Sequence, residues 1–230
     1  MYGRDYAGKT LHFEPSGGLK NASLVMLDQE TDTYWSLMKG KALAGELKGE
    51  TLKELPVGEK LPWKVWRDRH PTTKILSVNG KENRRNKFGE YFKNAKGFRG
   101  ITAKDQRLET KAPIFAFHHN NKSFAIRHAD ADGGKTFSLP DGGEIFLFRT
   151  ASDDIMRSTA AFVSANGFTK KEGQWTENST ELVFDQSTRT FANNAVKRIG
   201  GFDTYWYNWS LNNPDTEVYM PEAEGSGKKH

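Results

Sequence analysis

Short apolar runs, broken every few residues by glycine, asparagine or acidic clusters, dominate the chain, and this pattern predicts strands and tight turns over long helices. Thr10-Leu-His-Phe13, Ala22-Ser-Leu-Val-Met-Leu27 and Thr33-Tyr-Trp-Ser-Leu37 read as strands, with Gly17-Gly18 as the turn between the first two. The strongest hairpin signal is Ile114-Phe-Ala-Phe-His-His-Asn-Asn121 followed by Lys122-Ser-Phe-Ala-Ile-Arg127. With Asn120-Asn121 as a two-residue turn, Phe117 faces Phe124 and Phe115 faces Ile126. Thr136–Leu139 and Glu144–Arg149 flank a further Gly-Gly turn. Helical spacing is confined to Trp63–His70 behind Pro62, to Tyr205–Trp209, to Asp153–Phe162, and to Phe88, Tyr91 and Phe92, which would share an inward face. Lys74–Val78 and Glu217–Met220 resume as strands, so the expected fold class is mainly β with an α+β tendency.

Two segments spell nearly the same phrase: Asn21-Ala-Ser-Leu-Val-Met-Leu-Asp28-Gln-Glu-Thr31 and Asn178-Ser-Thr-Glu-Leu-Val-Phe-Asp185-Gln-Ser-Thr188. Each is followed by a second shared phrase, Trp63-x-x-Trp66-x4-Pro71-x-Thr73 in the first copy and Trp206-x-x-Trp209-x4-Pro214-x-Thr216 in the second. The repetition predicts two β-rich repeats, residues 8–78 and 160–220, packed about a pseudo-twofold axis inside one domain spanning 1–220. Residues 79–159 are then an insertion carrying the β-hairpin, and 221–230, ending Gly-Ser-Gly-Lys-Lys-His, read as a disordered tail or linker.

A chain of 230 residues buries on the order of 70% of its unfolded surface, so it needs no crosslink, and it has no cysteine to supply one. Disulfides, thiolate metal sites and cysteine nucleophiles are thereby excluded. No apolar run reaches the ~18 residues of a membrane span. The net charge of +5 is concentrated between Asn79 and Lys104, where eight basic residues face only Glu82 and Glu90. Arg84, Arg85 and Lys87 are the candidates there for binding a polyanion, acidic polysaccharide or nucleic acid, though a solvated basic face is the simpler reading and nucleic acid is not favoured. Trp35 joins them as a candidate ligand platform.

Asp28-x-x-Thr31 and Asp185-x-x-Thr188 lie at the heart of the repeat, and two copies would set two carboxylates across a cleft for acid-base work. Asp and Thr at this spacing also fold back on backbone amides to shape a turn, which is the reading the spacing favours. His118 and His128 are the histidines that would complete a hydrolase or metal-dependent site. His118 and His119 point to opposite faces of a strand, and His128 lies about 16 Å along the partner strand, so one shared ion is not expected. His128-Ala-Asp130-Ala-Asp132-Gly-Gly begins like a calcium loop but lacks the later bidentate glutamate; Asp130 and Asp132 remain the metal candidates, while an acidic turn, with no metal and no cofactor, is expected. Gly-x-Ser-x-Gly, His-Glu-x-x-His and Gly-x-Gly-x-x-Gly signatures are missing.

Leu11-His-Phe, Gly17-Gly-Leu-Lys-Asn-Ala-Ser-Leu-Val-Met-Leu-Asp28-x-x-Thr31-x3-Trp35, Gly45-x-Leu-x-Gly49-x-x-Leu52, Trp66-x3-His70-Pro71-x-Thr73-x-x-Leu76-Ser77, Asp105-x-Arg107-Leu108 and Trp209-x4-Pro214-x-Thr216-x-x-Tyr219 together resemble the bacterial domain-of-unknown-function 3179 family. Relatives usually carry an upstream Tyr-Cys-Pro-Leu-Cys-like segment; this chain begins after it and has no cysteine, so no thiol role carries over. The resemblance implies a bacterial or archaeal source and favours a periplasmic or extracellular home over a cytoplasmic one, and it transfers no catalytic residue. The expected function is a monomeric, non-catalytic domain of the cell envelope that binds a small molecule or protein between the copies or at the basic stretch. The rival is an enzyme using Asp28 and Asp185.

Overall fold

The computed structural model describes residues 1–55, 59–81, 88–192 and 195–219. The chain opens with a small hairpin, β1 (Asp5–Tyr6) and β2 (Lys9–Thr10), then β3 (Phe13–Lys20), β4 (Ser23–Asp28), β5 (Tyr34–Ser36) and β6 (Ala42–Ala44), an antiparallel meander in that order. Helix α1 (Trp63–Arg69) and helix α2 (Gly89–Lys93) follow. The hairpin β7 (Pro113–His119) and β8 (Lys122–Arg127) leads to β9 (Lys135–Ser138), β10 (Glu144–Phe148) and β11 (Ala160–Ser164). Two further hairpins, β12 (Phe168–Lys171) with β13 (Gln174–Glu177) and β14 (Phe184–Asp185) with β15 (Thr190–Phe191), precede β16 (Lys197–Arg198), β17 (Phe202–Tyr205), α3 (Trp206–Asn212) and β18 (Glu217–Tyr219). The fold is mainly β.

Two four-stranded sheets, β17-β7-β8-β18 and β16-β11-β10-β9, make the body. Their facing sides carry Phe115, Phe117, Phe124 and Ile126 from one sheet and Phe137, Ile145, Leu147 and Ala161 from the other. The outer face of the first sheet, through Ile114, Ala116 and Ala125, takes Trp206, Tyr207 and Trp209 of α3. The outer face of the second, through Phe146, Phe148 and Phe162, takes Phe168, Trp175, Phe184 and Phe191. Strands β7, β8 and β10 are therefore covered on both sides, which is why they read as unbroken apolar runs rather than as alternation. Residues 113–148, expected between the two copies, supply both central strands of the first sheet and one of the two central strands, β10, of the second.

The hairpin register agrees with the pattern: Phe115 pairs with Ile126 and Phe117 with Phe124 around Asn120 and Asn121, whose φ values are 48° and 61°. Elsewhere the structure corrects the expectation. Gly17, at φ 77°, sits in a bulge within β3, and the turn into β4 is made by Asn21 and Ala22, both left-handed. Asp153–Phe162 is not a helix; it is a loop that enters β11. Lys74–Val78 forms no strand, and Ile75 and Leu76 are 65% and 95% exposed, whereas Glu217–Tyr219 does form β18, parallel to β8. Phe88 and Phe92 are exposed, 65% and 45%, and do not share a buried face with Tyr91, whose hydroxyl lies 2.9 Å from that of Tyr207.

The repeated phrases share local geometry. Asp28 and Asp185 each close a hairpin turn in which two threonine hydroxyls meet at 2.9 Å, Thr31 with Thr33 and Thr188 with Thr190. Trp66 Nε1 donates to Thr73 Oγ1 and Trp209 Nε1 to Thr216 Oγ1, each at 2.9 Å, and both helices are seven residues long. Burial separates them: Trp206 and Trp209 are fully buried, while Trp63 and Trp66 are 45% and 37% exposed.

One carboxylate anchors the C-terminal hairpins. Glu177, buried at the end of β13, accepts bonds from Ser164, Ser179 and Thr180 side chains and from two backbone amides. Burial acts to raise its carboxyl, but those bonds outweigh it and hold the group at about 2, against an ordinary 4.5. A depressed carboxyl stabilises the fold above its unfolded pKa, and that contribution drains as pH falls from about 4.5 toward about 2. Urea unfolding across that window is expected to show a steeper acid loss in the wild type than in Glu177→Gln; equal slopes would contradict it.

Candidate functional site

Strand β7 ends on His118 and His119, and the N-terminal meander packs beside it, leaving a cleft of about 580 Å³. Isolated bridges between Tyr2 and Glu54 and between Lys41 and Thr51 carry the far wall. Gly40, at φ 60°, lies under the Tyr2 ring where any Cβ would collide with it, and it sets Lys39 and Lys41 on either side. Across the cleft stand His118, the Asn120-Asn121 turn and Asn213, the residue that ends α3.

His118 is the predicted residue that reaches this cleft. Its ring lies 5.0 Å from the Trp209 ring, Nε2 is 3.4 Å from Asn213 Oδ1, and Nδ1 is 3.7 Å from Glu54 Oε2. Glu54 Oε1 and the Tyr2 hydroxyl are sealed from solvent and have no hydrogen-bond partner. Burial, then the Glu54 charge, pushes the Tyr2 phenol well above its ordinary value, so it stays a neutral donor. Unsatisfied buried polar atoms are rare in folded proteins, and an acceptor and a donor together at the rim of a cleft suit a polar ligand.

A second hollow of about 370 Å³ continues past Lys39 and Lys41 to Lys20, Lys48 and Asn212. All four lysines are exposed, and none pairs with a carboxylate among the described residues. Among the described residues Glu54 is the sole carboxylate lining either hollow. His119 turns to the opposite side, 2.7 Å from Asp141, and the bond from His119 is the leading reason the Asp141 carboxyl sits below its usual range. The result is a positive groove with hydrogen-bond donors along it.

The other predicted residues lie elsewhere. Asp28 is fully buried; its oxygens accept from the Thr31 amide and hydroxyl and, at 2.6 Å, from Trp35 Nε1. Trp35 is therefore core, with the Tyr6 and Phe13 rings edge-on to it, and not an exposed platform. Asp185 is exposed and caps its own turn through Ser187 and Thr188; the Ser187 hydroxyl is the leading reason its carboxyl is held at about 2. Neither aspartate lines the cleft. Asp130 is gripped by the Arg127 fork at 2.7 and 2.8 Å, and Asp132 bridges to Arg149 through backbone. Among the described residues no three His, Asp or Glu side chains cluster as a metal site would require. Arg84, Arg85 and Lys87 lie outside the described residues.

His128 belongs to a buried charge network that the sequence reading missed. Its Nε2 lies 3.0 Å from Asp203 Oδ1. Asp203 also accepts from the Thr159 amide and hydroxyl and from Arg149 Nη1 at 3.2 Å. Burial acts to raise the Asp203 carboxyl, yet His128 and Thr159 hold it below the usual range; burial lowers the His128 imidazole. The aspartate lines a cavity of about 300 Å³ with Thr159, Lys60 and Glu59. Asp203 carries no motif, and no spacing connects it to Arg149.

Among the described residues no helix is long and apolar enough to cross a membrane. No curated protein and no solved structure matches the chain. The family described as "Protein of unknown function (DUF3179)" matches residues 1–216, nearly the whole length. Coverage of that extent takes in the meander, the groove beside it and every strand of the two central sheets except β18, and the chain belongs to the DUF3179 family.

Proposed function

We propose that the protein is a non-catalytic binding domain of the bacterial cell envelope whose groove takes an acidic ligand bearing several carboxylate, sulfate or phosphate groups, such as an acidic polysaccharide. The observation that carries this is the groove in which, among the described residues, Lys20, Lys39, Lys41 and Lys48 stand without ion pairs beside a single carboxylate. Four like charges in one concavity raise the local potential and attract polyanions. His118, Asn120, Asn121 and Asn213 add hydrogen-bonding groups at one end, where hydroxyls and ring oxygens of a saccharide would be met. A nucleic acid is disfavoured because, among the described residues, Tyr2 is the one Phe, Tyr or Trp in the lining, and its ring packs on Gly40. The envelope placement rests on the family resemblance.

Replacing the four lysines with alanine is expected to weaken binding to dextran sulfate about tenfold or more, and to flatten the dependence of log affinity on log salt by on the order of one unit per lysine lost. Retention on a heparin column should fall in parallel. Unchanged affinity and slope would remove the groove from consideration.

A further inference from the structure

Three guanidinium groups from separate parts of the chain converge beside the loop between β10 and β11, away from the groove. Arg69 comes from the last turn of α1, Arg157 from that loop, and Arg189 from the turn between β14 and β15. Arg189, 8% exposed, spends one nitrogen on both oxygens of Asp153, at 2.9 and 2.8 Å. Arg69 bonds Glu59 at 3.3 Å and the Ser187 carbonyl at 3.1 Å. Arg149, their neighbour, is fully engaged with Asp203, Thr159 and two carbonyls.

Arg157 is left over. It is 5% exposed, its side chain makes no hydrogen bond, and its nearest carboxylate is Glu59 at 3.7 Å, already held by Arg69. Arg157 Nε and Arg189 Nη1 are both sealed from solvent without a partner. Burial, and after it the charge of Arg189, pull the Arg157 guanidinium below its ordinary value, which marks the position as costly to charge. A buried guanidinium is tolerated when its donors are matched, and the planar fork matches an oxyanion better than any other group. Among the described residues these three cations contact two carboxylates, Glu59 and Asp153, which leaves one positive charge in excess.

We propose that Arg157, flanked by Arg69 and Arg189, is the receptor for a small oxyanion: the carboxylate, sulfate or phosphate group of a ligand. The site is independent of the lysine groove. Its occupant would complete the charge balance, accept from the two unpartnered N–H groups, and tie the β10–β11 loop to the end of α1.

Thermal unfolding of the full chain with inorganic phosphate, sulfate or acetate, each against sodium chloride at equal ionic strength, tests this. The wild type is expected to melt higher with at least one of the three ions than with chloride. Arg157→Met, which keeps the aliphatic stem, should weaken that ion roughly tenfold or more by calorimetry, the value of a charged hydrogen bond, while melting no lower than wild type in ion-free buffer. Arg157→Lys should retain part of the response, and alanines at Lys39 and Lys41 all of it. An increment that survives Arg157→Met, or that vanishes with the groove lysines, overturns the proposal. So does an ion-free Arg157→Met protein that melts well below wild type, because Arg157 would then be a structural strut; and so does a wild type that responds to none of the ions.

Discussion

Asp203→Ala is expected to lower the unfolding free energy by about 3–5 kcal/mol in urea titration, the usual effect of removing one partner from a buried ion pair. The carboxylate is the counter-charge of Arg149, which is 2% exposed, and it also contacts His128 and caps the Thr159 amide. Removing it strands a guanidinium that no water reaches. Replacing the pair together, as Arg149→Met with Asp203→Leu, should recover much of the loss, and a double-mutant cycle would report the coupling. A loss below about 1 kcal/mol would mean that the network is solvated or slack. The pH dependence has a definite sign. Asp203 has a depressed carboxyl, so its contribution is complete above the unfolded value of about 3.9 and is lost as pH falls through the folded value. His128, lowered from 6.5, binds its proton more readily in the unfolded chain, so stability begins to fall as pH drops below about 6.5 and stops changing beneath its folded value.

Trp209→Ala should cost about 3–5 kcal/mol, while Trp66→Ala should cost about 1 kcal/mol or less. The two tryptophans occupy the same place in the repeated phrase and make the same indole bond to a threonine at 2.9 Å. Trp209 in addition lies against Phe202 at 5.6 Å and His118 at 5.0 Å and is wholly buried with Ala116 and Ala125 beneath it. Its loss opens a cavity and releases the His118 ring at the end of the groove, so ligand affinity should drop with stability. Equal losses at both positions would show that the local bond, and not burial, carries the energy.

The site was legible only in part. His118 was found because a histidine beside a strong hairpin turn stands out, and the turn itself was set by two asparagines that accept positive φ. The lysines of the groove leave no mark in the sequence because Lys20, Lys39, Lys41 and Lys48 are scattered over 29 positions among acidic neighbours, whereas the basic residues beyond Asn79 are concentrated in one run. Tyr2 and Glu54 carry no motif at all and meet only because the N-terminal strand doubles back.

What the sequence by itself determined is whatever closes within a few residues: the Asp-x-x-Thr turns, the Trp-to-Thr bonds seven residues apart, and the apolar runs of β7, β8 and β10. Local hydrogen-bond geometry and strand periodicity depend on near neighbours, so similar phrases make the same aspartate-capped turn and the same indole bond in two different places. Which copy is buried, and which charges converge, was decided only in the tertiary structure. Trp209 found a sheet to cover and Trp66 did not. Asp203 met Arg149 across 54 positions because β17 pairs with β7 and carries it to the β10–β11 loop. Burial and long-range pairing depend on the whole packed body, and no short stretch of chain encodes them.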